Sequence, residues 1–122
     1  MKNAINWFEI PVTDYKRAKA FYSTILGEDV VDMPMPEGDY GILPYDNANG
    51  VGGGLIKAEG QVPSTDGCTI YLNGGDDLSI PLARVESAGG KIIVPKMNIG
   101  ENGFIAQFID TEGNRVAFHS GN

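Results

Sequence analysis

The feature that most restricts this chain is a repeat. A segment opening as Asp14-Tyr-Lys-Arg-Ala-Lys-Ala-Phe21-Tyr22 and closing at Leu26-Gly27 returns in outline from Asp77 through Pro81 to Gly89-Gly90. Asp14 and Asp77 lie 63 positions apart, and so do Gly27 and Gly90. The turn signatures Asp46-Asn-Ala-Asn-Gly50 and Asp110-Thr-Glu-Gly113 keep nearly the same offset, 64 at Asp and 63 at Gly. In 122 residues such a period leaves room for two copies of one supersecondary unit and little else.

Local patterning says what the unit is. From Ile5 to Thr13 the side chains alternate: Ile5, Trp7 and Glu9 point one way, Phe8, Ile10 and Val12 the other. Asp14 then suits an N-cap, because its carboxylate can accept from orphan N–H groups of a first helical turn. Ala18, Phe21, Tyr22 and Ile25 form one apolar face, and Gly27 can take the left-handed conformation that ends a helix. Short strands follow near 29–33, 40–45 and 51–57. The stretch 58–67 has no periodicity and reads as a linker. The second copy predicts a strand over 69–73, then a helix to about Ala88 that starts late or is distorted at Pro81. Strands over 91–95, 104–109 and 114–120 complete it. Each half is βαβββ: module one spans about 1–57, the linker 58–67, and module two 68–122 of a single domain.

Composition narrows the partners. The net charge of −7 and the scattered basic residues argue against nucleic acid, whose phosphates need clustered Lys and Arg. No apolar run reaches the roughly 20 residues of a membrane span, and the N-terminal stretch lacks the apolar core of a signal peptide. The expectation is a cytoplasmic protein with no membrane partner. One cysteine, Cys68, forms no internal disulfide and reads as a small buried hydrophobe rather than a nucleophile. Seventeen glycines include Gly52, Gly53 and Gly54 in a row. That row lacks a P-loop's Lys-Ser/Thr and reads as a strand edge open to close approach by a backbone or a ligand.

A helix between strands must cover one face of its sheet. Phe8, Ile10 and Val12 suit Phe21 and Tyr22, and Val116 and Phe118 suit the second helix. The opposite faces then carry Trp7, Glu9, Thr69, Tyr71, Ala117 and His119. Aromatics mixed with a few polar groups are the lining of a small-molecule pocket. For the same residues a plainer reading stands beside this one: Trp7 as packing, Glu9 and His119 as solvated surface groups.

On these residues the chain resembles the vicinal oxygen chelate superfamily of glyoxalase I, extradiol dioxygenases and bleomycin-resistance proteins. Ile10-Pro-Val-Thr-Asp14 running into Ala18, Phe21-Tyr22 and Leu26-Gly27 carries the resemblance, with Gly89-Gly90 and Asp110-Thr-Glu-Gly113-Asn-Arg. It implies an α+β fold of two βαβββ modules forming curled mixed sheets around a cavity, often completed in a homodimer. Metal-dependent members hold a divalent ion on inward side chains of the module strands. Here the corresponding positions fall on Trp7, on Gly52–Leu55, on Thr69 or Ile70, and on Ala117, none a usual ligand.

The expected protein is therefore metal-free and cofactor-free, and holds a small organic molecule among Trp7, Glu9, Tyr45, Thr69, Tyr71 and His119. The alternative is a lyase or isomerase using Glu9 and His119 as an acid/base pair or as residual metal ligands.

Overall fold

The computed structural model describes residues 2–122. They form two compact units that meet in sequence at Pro63 and Ser64.

The first unit runs β1 (Trp7–Pro11), α1 (Tyr15–Leu26), β2 (Val31–Asp32), β3 (Asp39–Ile42) and β4 (Gly52–Lys57). Its sheet has the order β1-β4-β3-β2, with β1 parallel to β4 and the other pairs antiparallel. A parallel neighbour needs a crossover, and α1 supplies it. The helix begins where Asp14 accepts from the Arg17 amide at 3.1 Å. It ends at Gly27, in the left-handed conformation at φ 73°. Between these caps Ala18, Phe21, Tyr22 and Ile25 are all buried. Against them lie Ile10, Val12 and Leu55, also buried. Each large side chain removed from water in this way stabilises the unit by about 1.5–3 kcal/mol.

The second unit repeats the order: β5 (Ile70–Asn73), α2 (Ser79–Leu82), β6 (Lys91–Asn98), β7 (Phe104–Ile109) and β8 (Arg115–Ser120), with a 3-10 turn at Gly100–Asn102. The sheet order is β5-β8-β7-β6, again with one parallel pair, β5 with β8. Its core joins Leu72, Ala106, Phe108, Val116 and Phe118 to Leu78, Leu82 and Val85. Two mixed four-stranded sheets, each with its own helix, make this an α+β fold.

Three expectations need correction. The second helix stops at Leu82 instead of about Ala88, and the segment continues to Gly89 as turns. It starts late because Asp77 Oδ1 takes the Ser79 amide at 2.9 Å and Ser120 Oγ takes the Leu78 amide at 3.0 Å. Pro81 thus falls in the first turn, where its missing N–H has no helical partner to lose. The glycine-rich β4 is no edge but an interior strand between β1 and β3. Cys68 is exposed, since it precedes β5 and escapes the strand's alternation.

The Asp110–Asn114 turn sets the start of β8. Asp110 Oδ1 accepts from the amides of Glu112 and Asn114 at 2.8 and 2.9 Å, and Asn114 Nδ2 donates to Asp110 Oδ2 at 3.0 Å. The Asn114 side chain also accepts from the Ser64 amide.

An ion pair ties the α2 entry to β6. Lys96 Nζ lies 2.9 Å from Asp77 Oδ1 and 4.6 Å from the Phe104 ring centre. The Lys96 ammonium, helped by hydrogen bonds from Ser79, lowers the Asp77 pKa from 3.8 to about 2. As pH falls the unfolded chain therefore binds this proton first. The pair's contribution is whole above the unfolded value of about 4 and is lost as pH falls through the folded value. Urea midpoints measured across that window should fall less for Asp77→Asn than for the parent protein. Parallel curves would contradict the assignment.

Candidate functional site

In the first unit β1 turns Ile10 inward to the helix, so Trp7 and Glu9 project from the other, open face. The register sets Trp7 beside Gly52, and Glu9 beside Gly54. Neither glycine has a side chain to cover the sheet there, and neighbouring rings take the space. A Cβ on Gly52 would lie 2.5 Å from the Tyr45 ring, and one on Gly54 would lie 2.5 Å from the Tyr40 ring. On the helix side Phe8 fills the same place over Gly53. The close approach that the glycine run demands is made by the unit's own aromatic side chains. It therefore lends no support to a homodimer built on close backbone approach at this strand.

The result is an aromatic patch. Trp7 and Tyr45 meet edge to face, with ring centres 5.6 Å apart and planes at 80°. Trp7 Nε1 donates to the Tyr40 hydroxyl at 2.7 Å. Tyr40 is buried, whereas Trp7 and Tyr45 remain 37% and 36% exposed. Burial raises the Tyr40 pKa. The Trp7 N–H opposes that rise, and Glu9 adds to it by hydrogen bonding and by its charge. The Tyr40 hydroxyl thus receives from Trp7 and faces the exposed Glu9 carboxylate. Tyr40 was missed because a short strand, Asp39-Tyr-Gly-Ile42, gives no sign that its ring will lie over a glycine two strand positions away from its own partner, Ile56.

A recess of about 410 Å³ lies elsewhere in this unit, beside α1, lined among others by Tyr15, Lys19, Asp32, Met33 and Met35. Three of its polar groups serve one another. The Tyr15 hydroxyl donates to Asp32 at 2.6 Å, and Lys19 lies 3.0 Å from the same oxygen. Burial and then Asp32 push the Tyr15 hydroxyl pKa up, so it stays protonated at ordinary pH. This recess contains neither Trp7 nor Glu9.

In the second unit Val116 and Phe118 face the helix, which leaves Ala117 and His119 on the open face. Tyr71 is beside Ala117 and Asn73 beside His119. Tyr71 is half exposed at 47%, and Thr69 is partly buried just before the strand. Ala117 is fully buried, floored between Tyr71 and Gln107. The exposed His119 places Nε2 2.6 Å from the Asn102 carbonyl oxygen, so Nε2 carries a proton and donates.

The structure thus brings Trp7, Glu9 and Tyr45 together in the first unit, with Tyr40 added. It sets Tyr71, Thr69 and His119 on one face of the second. The positions that the resemblance assigns to metal ligands do not fit a divalent ion. The Trp7 indole is a hydrogen-bond donor spent on Tyr40, Gly52–Gly54 and Ala117 carry no donor atoms, and Ile70 is apolar. Among the described residues no group of three or more His, Cys, Asp or Glu side chains could hold a metal.

Duplicated βαβββ units, each with a helix-covered face and an open face of aromatic and polar groups, define a paired-module α+β protein. The chain belongs to the Glyoxalase/Bleomycin resistance protein/Dioxygenase superfamily, whose family model matches residues 4–118. It is 28% identical over 123 residues to CFP32 of Mycobacterium bovis, which is provisionally named a glyoxylase; the match takes in 96% of this chain and 45% of that protein. The chain therefore spans about half the length of that relative. A glyoxalase/bleomycin resistance protein from Albidiferax ferrireducens superposes with a TM-score of 0.76 at 14% identity, covering 95% of this chain and 97% of that one. TnmS3, an antibiotic binding protein from Streptomyces sp. CB03234, gives 0.65 at 23% identity, covering 98% and 97%. At these identities the likeness is one of fold.

The bare floor of β4 is testable. Gly54→Ala would push the Tyr40 ring off the sheet and break its bond to Trp7, costing about 1–3 kcal/mol as other overpacked sites do. Urea unfolding should show that loss, together with a shifted Trp7 emission. A variant unchanged in both would refute the packing described.

Proposed function

We propose that this protein is a metal-free binder of a small organic molecule, and that the Trp7–Tyr45 patch with Glu9 forms the ligand-contacting surface of the first unit. The observation that carries this reading is the exposure of two aromatic rings held rigid beside a carboxylate. Tyr40 braces Trp7 from below, so the indole presents its surface at little entropic cost. A planar group would stack on the rings, and a basic group would pair with Glu9. The net charge of −7 favours approach of a cation. Thr69, Tyr71 and His119 offer polar and aromatic contacts on the second unit. The fold is one that TnmS3, an antibiotic binding protein, also has.

The acid/base alternative draws no comparable support, because the proton on His119 Nε2 is already donated to the Asn102 backbone carbonyl. A homodimer in the cytoplasm remains part of the proposal. Light scattering that returned a single 13.0 kDa species would remove the dimer.

Trp7 is the single tryptophan, so its fluorescence reports on the patch directly. A planar aromatic amine such as 9-aminoacridine should quench it saturably. Glu9→Gln should weaken that binding about tenfold, the loss of one charge-assisted contact. Trp7→Leu should abolish it when followed by calorimetry. Non-saturable quenching, or equal affinity in Glu9→Gln, would sink the reading.

A further inference from the structure

The recess beside α1 holds more polar groups than its own hydrogen bonds use. Tyr15, Lys19 and Asp32 bond one another there. Two further charged side chains on its wall, Lys16 and Asp39, enter no side-chain hydrogen bond or ion pair among the described residues. Burial, then Asp32 and last Asp39 push the Tyr15 hydroxyl pKa up, so the Asp39 carboxylate lies within electrostatic reach of this hollow. A second hollow of about 370 Å³ adjoins the first, and Tyr15, Lys16 and Asp39 line both. An ammonium and a carboxylate, neither of them paired, therefore stand at the junction of the two.

Another part of the wall is apolar, and the sequence explains why it holds its shape. In Met33-Pro34-Met35-Pro36 each methionine precedes a proline, which disfavours helical backbone and keeps both residues extended. Side chains two apart on an extended chain project to one side, and Met33 and Met35 both line the recess. Gly38 leaves the floor bare, since a Cβ there would strike the Lys57 carbonyl oxygen and meet the Met35 methyl at 3.0 Å. Unbranched thioethers adapt to aliphatic chains of different shape. At about 410 Å³ the hollow falls within the range of small-molecule sites, about 300–1,000 Å³.

We infer that this recess is a binding site for a zwitterion with an aliphatic chain, the pattern of a free apolar α-amino acid. Lys16 takes the ligand's carboxylate, Asp39 takes its ammonium, and the chain lies on Met33 and Met35. An anion alone would pair with Lys16 but face Asp39, and a cation alone would face Lys16. Only a ligand with both charges gains at both groups. The site is separate from the aromatic patch, since neither Trp7 nor Glu9 lines it.

The test uses the full chain with methyl-labelled methionine and follows the Met33 and Met35 methyl resonances by NMR. The two peaks are assigned from Met33→Leu and Met35→Leu. L-leucine titrated at neutral pH and constant ionic strength should move both saturably. Isoamylamine lacks the carboxylate and isocaproate lacks the ammonium, so each should bind at least about threefold more weakly than leucine. Lys16→Gln and Asp39→Asn should weaken leucine binding by about the same factor, and Glu28→Gln, beyond the far end of α1, should leave it unchanged. Lys16 and Asp39 are exposed, so both variants should fold, which circular dichroism checks. Should one fail to fold, the truncated probes on the parent protein still decide the matter. Methyl resonances that leucine leaves in place would overturn the inference. So would a truncated probe that binds as tightly as leucine, or equal affinity in either folded variant.

Discussion

Everything described rests on one pairing made twice: the first strand of each unit lies parallel to its last. Antiparallel neighbours can be joined by a tight turn, but parallel ones need a crossover. In each unit the chain meets that demand with a helical segment that then covers one face of the sheet. The other face is left open by construction. Trp7 and Glu9 reach it from β1, and Tyr71 and His119 reach it from the β5–β8 pair. Removing the parallel pairing would scatter these side chains even if every strand still formed.

Missing side chains shape both faces as much as present ones. Gly52 and Gly54 strip the middle of the first sheet, and the rings of Tyr45 and Tyr40 lie down into the space. Ala117 does less in the second sheet, where it lies fully buried between Tyr71 and Gln107. The two copies then diverge in charge. One open face joins aromatics to a carboxylate, while the other joins a guanidinium and an imidazole to neutral groups. Duplication has kept the frame and changed the chemistry on it.

Much of this frame was legible because it depends on local rules. Asp14 and Gly27 bracket α1 as capping chemistry requires, and the alternation of Phe8, Ile10 and Val12 against Trp7 and Glu9 predicts which faces are buried. The failures share a cause: each turns on a partner distant in sequence. The second helix is short because Ser120, 42 residues from Leu78, takes an amide at its start. The glycine strand was placed at an edge, although neighbours from both sides enclose it. Tyr40 went unremarked because nothing adjacent to it in sequence announces a role.

The sequence by itself determined the repeat, the order βαβββ in each half, and the separation of helix-facing from open-face residues. Spacing, caps and alternation act over a few residues, and so they can be read from a string. Tertiary structure alone decided that Tyr40 would support Trp7, that the glycines would be filled by the protein's own rings, and that the Arg115 Nε would be buried without a partner. Each of these depends on which strands become neighbours and in what register, and register is a property of paired chains that no single stretch of sequence contains.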